Sequence, residues 1–307
     1  MNIRDLRQLR HFVAVAEELH FGRAAERLCM TQPPLSQSIQ TLEQELGFEL
    51  FNRTKRSVAL TPVGALWLPY VRKLLADVQG LPNIAARLSR GEIGTVRLSF
   101  VSSAVFSVLP QLVGRYKETF PEIELTLKEE TSDLQIQGLL DNQIDAGIMI
   151  TPSHRQLPPG IQYRPIQRDP LIAAVPASWV ASGRVGPAEQ LVEFSQICEA
   201  PLILYPRESA VPLYDLVTQY YEAQGRSVNW GQRAIQMQTI ISLVSAGLGF
   251  SLVPSSMTNL ERSGVVYRRL AGELPIMETG LVWHKNNAPP SVDHLIQLAV
   301  NKDWAKN

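Results

Sequence analysis

Cysteine is nearly absent. The 307-residue sequence holds two, Cys29 and Cys198, and so wide a separation excludes a dense disulfide framework and a cysteine-built zinc site. Net charge is absent too, because 29 Lys and Arg offset 29 Asp and Glu. No global field draws the chain toward an anionic polymer, so any electrostatic footprint has to be local. Long apolar runs are missing, none approaching the roughly 20 residues that span a bilayer. The start, Met1-Asn2-Ile3-Arg4-Asp5, leads into an amphipathic segment and carries no apolar signal core. No membrane partner and a cytoplasmic location are therefore expected. Catalytic signatures are missing as well: His11, His20, His154, His284 and His294 are scattered, and neither Gly-x-Ser-x-Gly nor His-Glu-x-x-His occurs. Gly247-Leu248-Gly249 lacks the third glycine of a dinucleotide-binding loop. The expectation is a non-enzyme without metal or cofactor. The composition, 45% apolar and 19% charged, is that of a folded globular chain.

What is present begins at Phe21. Residues 21–28 read as a short helix with the small pair Ala24-Ala25, and Cys29-Met30-Thr31 make a tight connection. A second helix follows, with Thr31 as N-cap and Pro33 and Pro34 in a first turn, where amides have no intrahelical acceptor. Leu35, Ile39, Leu42 and Leu46 recur at helical spacing as the buried stripe. Gln32, Ser36, Gln37 and Gln40 lie opposite. Glutamine can bond an adenine edge bidentately, and serine can donate or accept. An ordinary solvated face would look similar, but the alanine pair lets one helix cross closely over the other, as in a helix-turn-helix DNA reader. Leu6, Leu9, Phe12, Val13, Ala16 and Leu19 form one face of a preceding helix, and Gly47 ends the reading helix.

Residues 48–60 then read as a two-stranded wing with a basic tip at Arg53, Lys55 and Arg56. Such a tip could lie along phosphates or enter a minor groove. The first sixty-six residues hold eight basic side chains against seven acidic ones, so clustering must do what net charge does not. From Thr61 and Pro62 to about Gly91 runs a connector helix striped by Val63, Trp67, Tyr70, Leu74, Val78, Leu81, Ala85 and Leu88. That stripe is too long for so small a domain to cover, and the same helix of a second subunit is the expected partner; packing on the chain's own second half is the alternative. Pro69 and Pro82 each favour a kink or break, and Gly80 with Pro82 is expected to end the straight segment.

Residues 1–65 resemble the winged helix-turn-helix of LysR-type transcriptional regulators. The resemblance is carried by Leu9-Arg10-His11-Phe12-Val13-Ala14-Val15-Ala16-Glu17, Ala24-Ala25-Glu26-Arg27-Leu28, Thr31-Gln32-Pro33-Pro34-Leu35-Ser36, Leu46-Gly47, Leu50-Phe51, Arg53 and Leu60-Thr61-Pro62. It implies DNA contact by Thr31, Gln32, Pro33, Ser36, Gln37, Gln40, Arg53, Lys55 and Arg56. Many relatives carry arginine where this chain has Gln37, which puts a transferred operator sequence in doubt.

Beyond Thr95 the pattern alternates strand and helix, implying a doubly wound α/β layer. Strands are expected at 96–101, 123–130 and 145–150, then from Pro170 at 171–175, 202–205 and 249–253, with a return near Tyr267 to a strand at 279–283 and a helix at 292–304. Two lobes with a ligand cleft follow. This half resembles the same family's effector domain, built like a periplasmic solute-binding protein, through Phe120-Pro121-Glu122-Ile123, Asp145-Ala146-Gly147-Ile148, Leu243-Val244-Ser245-Ala246-Gly247-Leu248-Gly249 and Leu252-Val253-Pro254. The expected organisation is a DNA-binding domain at 1–65, a linker helix at 61–91 and an effector domain at 92–307. Its first lobe would span about 95–168 and 268–307, and its second about 169–267.

Carried over by the resemblance, the effector site comprises Ser102, Ser103, Thr131, Ser132, Ile150, Leu204 and Pro206. A plain helix cap is the alternative role for each of these serines and threonines, Ser132 above all. Ile150 stands where several carboxylate-sensing relatives have arginine, and isoleucine cannot make that ion pair. His154, Arg155 and Arg207 are nearby side chains that could substitute, and a less acidic ligand is the alternative. Val101-Ser102-Ser103 and Leu204-Tyr205-Pro206 resemble the branch that senses intermediates of aromatic breakdown such as benzoate, muconate and chlorocatechol. Peroxide-sensing members use a cysteine pair in this domain, where this chain has Cys198 alone, so a thiol switch is not expected. The resemblance further implies double-stranded DNA and a small-molecule effector as partners, with RNA polymerase a candidate third. It implies a dimer and a homotetramer built as a dimer of dimers, reading an interrupted palindrome as activator or repressor. A small-molecule carrier with a vestigial helix-turn-helix is the alternative from another class.

Overall fold

The computed structural model describes residues 6–54, 57–150, 157–187 and 190–301. The chain divides into two compact units, Met1–Ala86 and Arg87–Asn307. The first contains α1 (Leu6–Glu18), α2 (Phe21–Arg27), α3 (Gln32–Leu46), β1 (Phe51–Arg53), β2 (Val58–Leu60) and most of α4 (Pro62–Ser89). Its core joins Leu9, Phe12 and Val15 of α1 to Ala24 and Ala25 of α2 and to Leu35, Ile39 and Leu42 of α3. Leu6 and Leu19, expected in that core, are exposed instead, and Ala14 and Val15 are buried. Leu19 lies past the end of α1 with a positive φ of 47°, so the helical register that would turn it inward has already stopped.

The prolines of α4 do not break it. The helix is continuous through Pro69, Gly80 and Pro82 to Ser89, contrary to the expected end near Gly80. Each proline removes one amide donor, and the remaining ladder of a 28-residue helix carries it past those points. One side, with Gly64, Leu68 and Val71, is buried, and Trp67 lies 5.0 Å from the ring of Phe12. Val63, Leu66, Tyr70, Leu74, Leu81 and Ile84 remain exposed.

The second unit is a layered α/β structure. In chain order it adds β3 (Gly94–Phe100), a 3-10 turn at Ser102–Phe106, α5 (Val108–Thr119), β4 (Ile123–Glu129), α6 (Ser132–Leu140), β5 (Ala146–Ile150), β6 (Ile161–Pro176) and α7 (Ala177–Ala181). Then come β7 (Leu202–Leu204), α8 (Val211–Ala223), β8 (Trp230–Arg233), α9 (Met237–Ser245), β9 (Ser251–Pro254), β10 (Val265–Arg268), β11 (Ile276–His284) and α10 (Pro290–Asn301). The main sheet runs β10-β6-β11-β5-β3-β4, with β9 also on β6. The pairs β3–β4 and β3–β5 are parallel, as a doubly wound layer requires, but β11 is antiparallel to both β5 and β6. The sheet is therefore mixed, because β11 returns to the first lobe from the second.

One strand joins the lobes. The amino-terminal part of β6 pairs with β11, and its carboxyl-terminal part, Leu171 to Pro176, pairs with β9 and β10. The sequence pattern marked the second of these segments and missed the first. Residues 161–170 carry Arg164, Pro165, Arg168, Asp169 and Pro170, which hide strand periodicity. A buried core runs through both lobes, including Leu98, Leu112, Tyr116, Ile148, Leu171, Ile203, Val217, Ile240 and Leu252.

Candidate functional site

In the first unit, α2 starts on an unusual cap. Gly22 N–H and Arg23 N–H donate to His20 Nδ1 at 3.0 and 3.2 Å, a role that the sequence reading missed. Ala24 and Ala25 are buried where α2 packs with α1 and α3. Thr31 holds the cap position of α3 with extended backbone, but its side chain makes no cap hydrogen bond. An N-cap oxygen accepts from the second or third helical amide. Here those positions are Pro33 and Pro34, which have no N–H. The expected cap is thus corrected.

Along α3, Gln32, Pro33, Gln37 and Gln40 are exposed and Ser36 is half-buried, opposite the buried Leu35, Ile39 and Leu42. Leu46 is half-buried, and Gly47 ends the helix at a φ of 80°. Ser38 is committed to His11 Nδ1 at 2.8 Å. The outward glutamine row is free of such internal bonds among the described residues.

Arg53 is not a free tip. It ends β1, pairs with Glu43 of α3 and lies over the Phe21 ring at 5.0 Å. Glu43 Oε1 also accepts from Leu50 N–H at 2.8 Å and Phe51 N–H at 3.1 Å. This one carboxylate fastens the wing to α3, and the sequence reading missed it. Lys55 and Arg56 lie outside the described residues. Other basic side chains are also spent internally: Arg27 bonds Glu17 at 2.7 Å, and Arg72 bonds the same carboxylate at 2.8 Å. Both hold Glu17 below the usual carboxylate range, against the upward pull of burial.

In the second unit, a cavity of about 210 Å³ is lined by Ser102, Ser103, Glu129, Glu130, Thr131, Ser132, Leu134 and Ile150 on one side. Tyr205, Ser209, Ala210, Pro212, Ile235 and Gln236, with Val101, complete the lining. Five of the expected residues, Ser102, Ser103, Thr131, Ser132 and Ile150, thus come together. Leu204 and Pro206 are not in the wall. Leu204 is 1% exposed and belongs to the core, because successive strand residues point to opposite faces. Tyr205 between them takes the place. The cap position of α6 falls to Thr131 rather than Ser132. Arg207 is paired with Asp215 at 3.0 Å and is also outside the wall, while His154 and Arg155 lie outside the described residues.

The cavity's geometry follows from strand ends. Val101 and Ile150 stand at the carboxyl ends of the parallel strands β3 and β5, and Glu129 ends β4. Gln135 fixes the start of α6, donating to the carbonyls of Glu130 at 2.9 Å and Ile148 at 3.2 Å. Gly147 makes room for it, since a Cβ there would collide with Gln135 Oε1. Across the cleft, Ser102 Oγ lies 3.0 Å from Tyr205 Oη and accepts from Met237 N–H at 3.4 Å. Burial pushes the Tyr205 phenol up; the Ser102 hydrogen bond opposes this and the Glu129 charge adds to it. Burial also pulls the Glu130 carboxyl up, but hydrogen bonds from Lys128 and Ser99, with the Lys128 charge, outweigh this and hold it low. The caps of α6, α8 and α9, Thr131, Ala210 and Gln236, all line the cavity, and none has a side-chain cap bond. First-turn amides and positive helix ends therefore gather around it.

Comparison with known proteins decides the family. Residues 89–303 match the LysR substrate binding domain, and residues 6–65 match the bacterial regulatory helix-turn-helix protein, lysR family. The chain belongs to the LysR family. It is a DNA-binding transcriptional regulator with an effector-binding domain. It is 51% identical over 294 residues to the HTH-type transcriptional regulator IlvR of Caulobacter vibrioides, covering 96% of this chain and 97% of that one. AlsR of Bacillus subtilis is 36% identical, with 96% of this chain and 95% of that one covered. The LysR-family regulator CbnR, solved full-length with its target DNA, resembles the structure at a TM-score of 0.77 and 25% identity, covering 98% of this chain and 99% of that chain. Full-length BenM gives 0.59 at 29% identity, covering 98% and 97%. These LysR relatives are transcriptional regulators, and the carrier alternative finds no support among them. The α/β class, with an amino-terminal helix-turn-helix and a two-lobed effector domain, holds. No described helix is long and apolar enough to cross a membrane.

Proposed function

We propose that this LysR-family regulator reads DNA with the outward face of α3 and senses a small organic acid in the cavity between its lobes. The observation that carries the effector reading is the convergence of α6, α8 and α9 on one cavity, with no cap bond from the side chains of Thr131, Ala210 or Gln236, although Ser102 takes the first amide of α9. Amides at helix starts hold a carboxylate without a lysine or arginine, which suits a wall that has Ile150 and, among the described residues, no cation.

On this reading Gln32, Ser36, Gln37 and Gln40 face base edges, and Thr31 and Pro33 lie against the backbone. Lys55 and Arg56 supply the basic wing, and Arg53 serves chiefly to hold that wing to α3. Ser102, Ser103, Thr131 and Ser132 hold the effector over Ile150, with Tyr205 in place of Leu204 and Pro206. Residues 1–65 form the DNA-binding domain, 61–91 the dimerisation helix and 92–307 the effector domain, with lobes at 95–168 with 268–307 and at 169–267. The exposed apolar side of α4 supports pairing with a second subunit, and two such dimers make a homotetramer. The protein works in the cytoplasm, without catalysis.

A footprint on the intergenic region beside its own gene, across a salt series, tests the DNA reading. Two spaced protected half-sites that weaken with salt are expected; a salt-independent or absent footprint overturns it.

A further inference from the structure

The cavity that should hold an acid also carries an acid of its own. Glu130 is accounted for by Ser99 at 2.7 Å and by Lys128. Glu129 lines the same wall; it is exposed, and its carboxylate has no hydrogen bond or ion pair among the described residues. Its backbone is held at the end of β4 in register with Phe100 of β3. No lysine, arginine or histidine is in the wall among the described residues. A purely anionic ligand would therefore meet the positive helix ends together with an uncompensated carboxylate. The site is also unfilled in its hydrogen bonding: Ser103 Oγ, on a residue 2% exposed that lines the cavity, has no partner.

We propose that the effector is a small zwitterion, an α-amino acid with an aliphatic side chain. This rests on the reading that the cavity holds the effector's carboxylate. That carboxylate lies toward the starts of α6 and α9, and the ammonium lies toward Glu129. Leu134, Ile150, Pro212 and Ile235 offer apolar contact to the side chain. The volume of about 210 Å³ is below the roughly 300–1,000 Å³ of sites for drug-sized molecules, so the ligand is small.

Calorimetric titration of the full chain tests this with L-alanine, L-norvaline and L-leucine, each beside its counterpart lacking the amine: propanoate, pentanoate and 4-methylpentanoate. At least one amino acid should bind about tenfold tighter than its counterpart, the scale of a charged hydrogen bond. Glu129→Gln should remove that preference and Glu129→Asp should keep part of it, with melting temperatures confirming that both fold. If the simple carboxylates bind as tightly, or the preference survives Glu129→Gln, the zwitterion is overturned and the anion site stands. If neither series binds, both readings fail.

Discussion

The Thr31 hydroxyl has nothing to cap, because Pro33 and Pro34 bring no amide hydrogen to the first turn of α3. Of the first three residues of α3, Gln32 alone keeps an amide hydrogen, and on the proposed DNA reading it is the one backbone donor there for a phosphate. In the cavity, Ser102 and Thr131 are proposed effector contacts. Ser102→Ala or Thr131→Val should abolish the transcriptional response to effector while DNA affinity stays within a few-fold, measured by reporter and gel shift. Equal loss of both would mark them as structural caps. Glu130 predicts an acid effect. Its carboxyl is held below the ordinary value of 4.5, so its stabilising share is complete above that pH and is lost as pH falls through the lowered value. Acid unfolding of Glu130→Gln should be the less steep of the two; an unchanged curve would remove Glu130 from the account.

Two elements carry consequences of their own. The wing is fastened by Glu43, whose carboxylate serves Leu50, Phe51 and Arg53 together. Replacing it by alanine should cost about 2 kcal/mol in urea unfolding, as hydrogen bonds to a charged group do. It should also weaken DNA binding by freeing the wing. The linker α4 leaves Leu66 and Tyr70 about three-quarters exposed, at 75% and 74%. Leu66→Glu with Tyr70→Glu should lower the sedimentation mass, and an unchanged mass would rule out pairing through this face. The regular elements were legible in the sequence because period and punctuation agreed. Leu35, Ile39 and Leu42 with Gly47 specify α3, and the runs 96–100 and 146–150 specify two strands. Less legible were features set by tertiary partners. Glu43 as a fastener and Tyr205 as a wall residue depend on neighbours that no local pattern names, whereas the His20 cap is local, two and three residues from its amides, and was hidden because histidine is not among the usual N-cap residues. The proline-containing half of β6 failed as Glu43 and Tyr205 did, being held by β11 rather than by its own propensity.

At the scale of the molecule, neutrality makes DNA affinity a matter of local charge. Arg27, Arg53 and Arg72 are paired with Glu17, Glu18 or Glu43, so fewer cations reach phosphate than the sequence holds. The slope of log affinity against log salt should accordingly be shallow for a two-winged reader. A slope matching every basic residue of the first unit would mean that those pairs open on DNA. The two lobes share more than a cavity. The 16-residue strand β6 hydrogen-bonds to β11 in one half and to β9 and β10 in the other. Neither lobe can therefore melt while its neighbour keeps that strand whole, and the effector domain should exchange its amide hydrogens as one cooperative block. Protection gained from a ligand seated at Ser102 would then extend along residues 161–176, well beyond the atoms it touches.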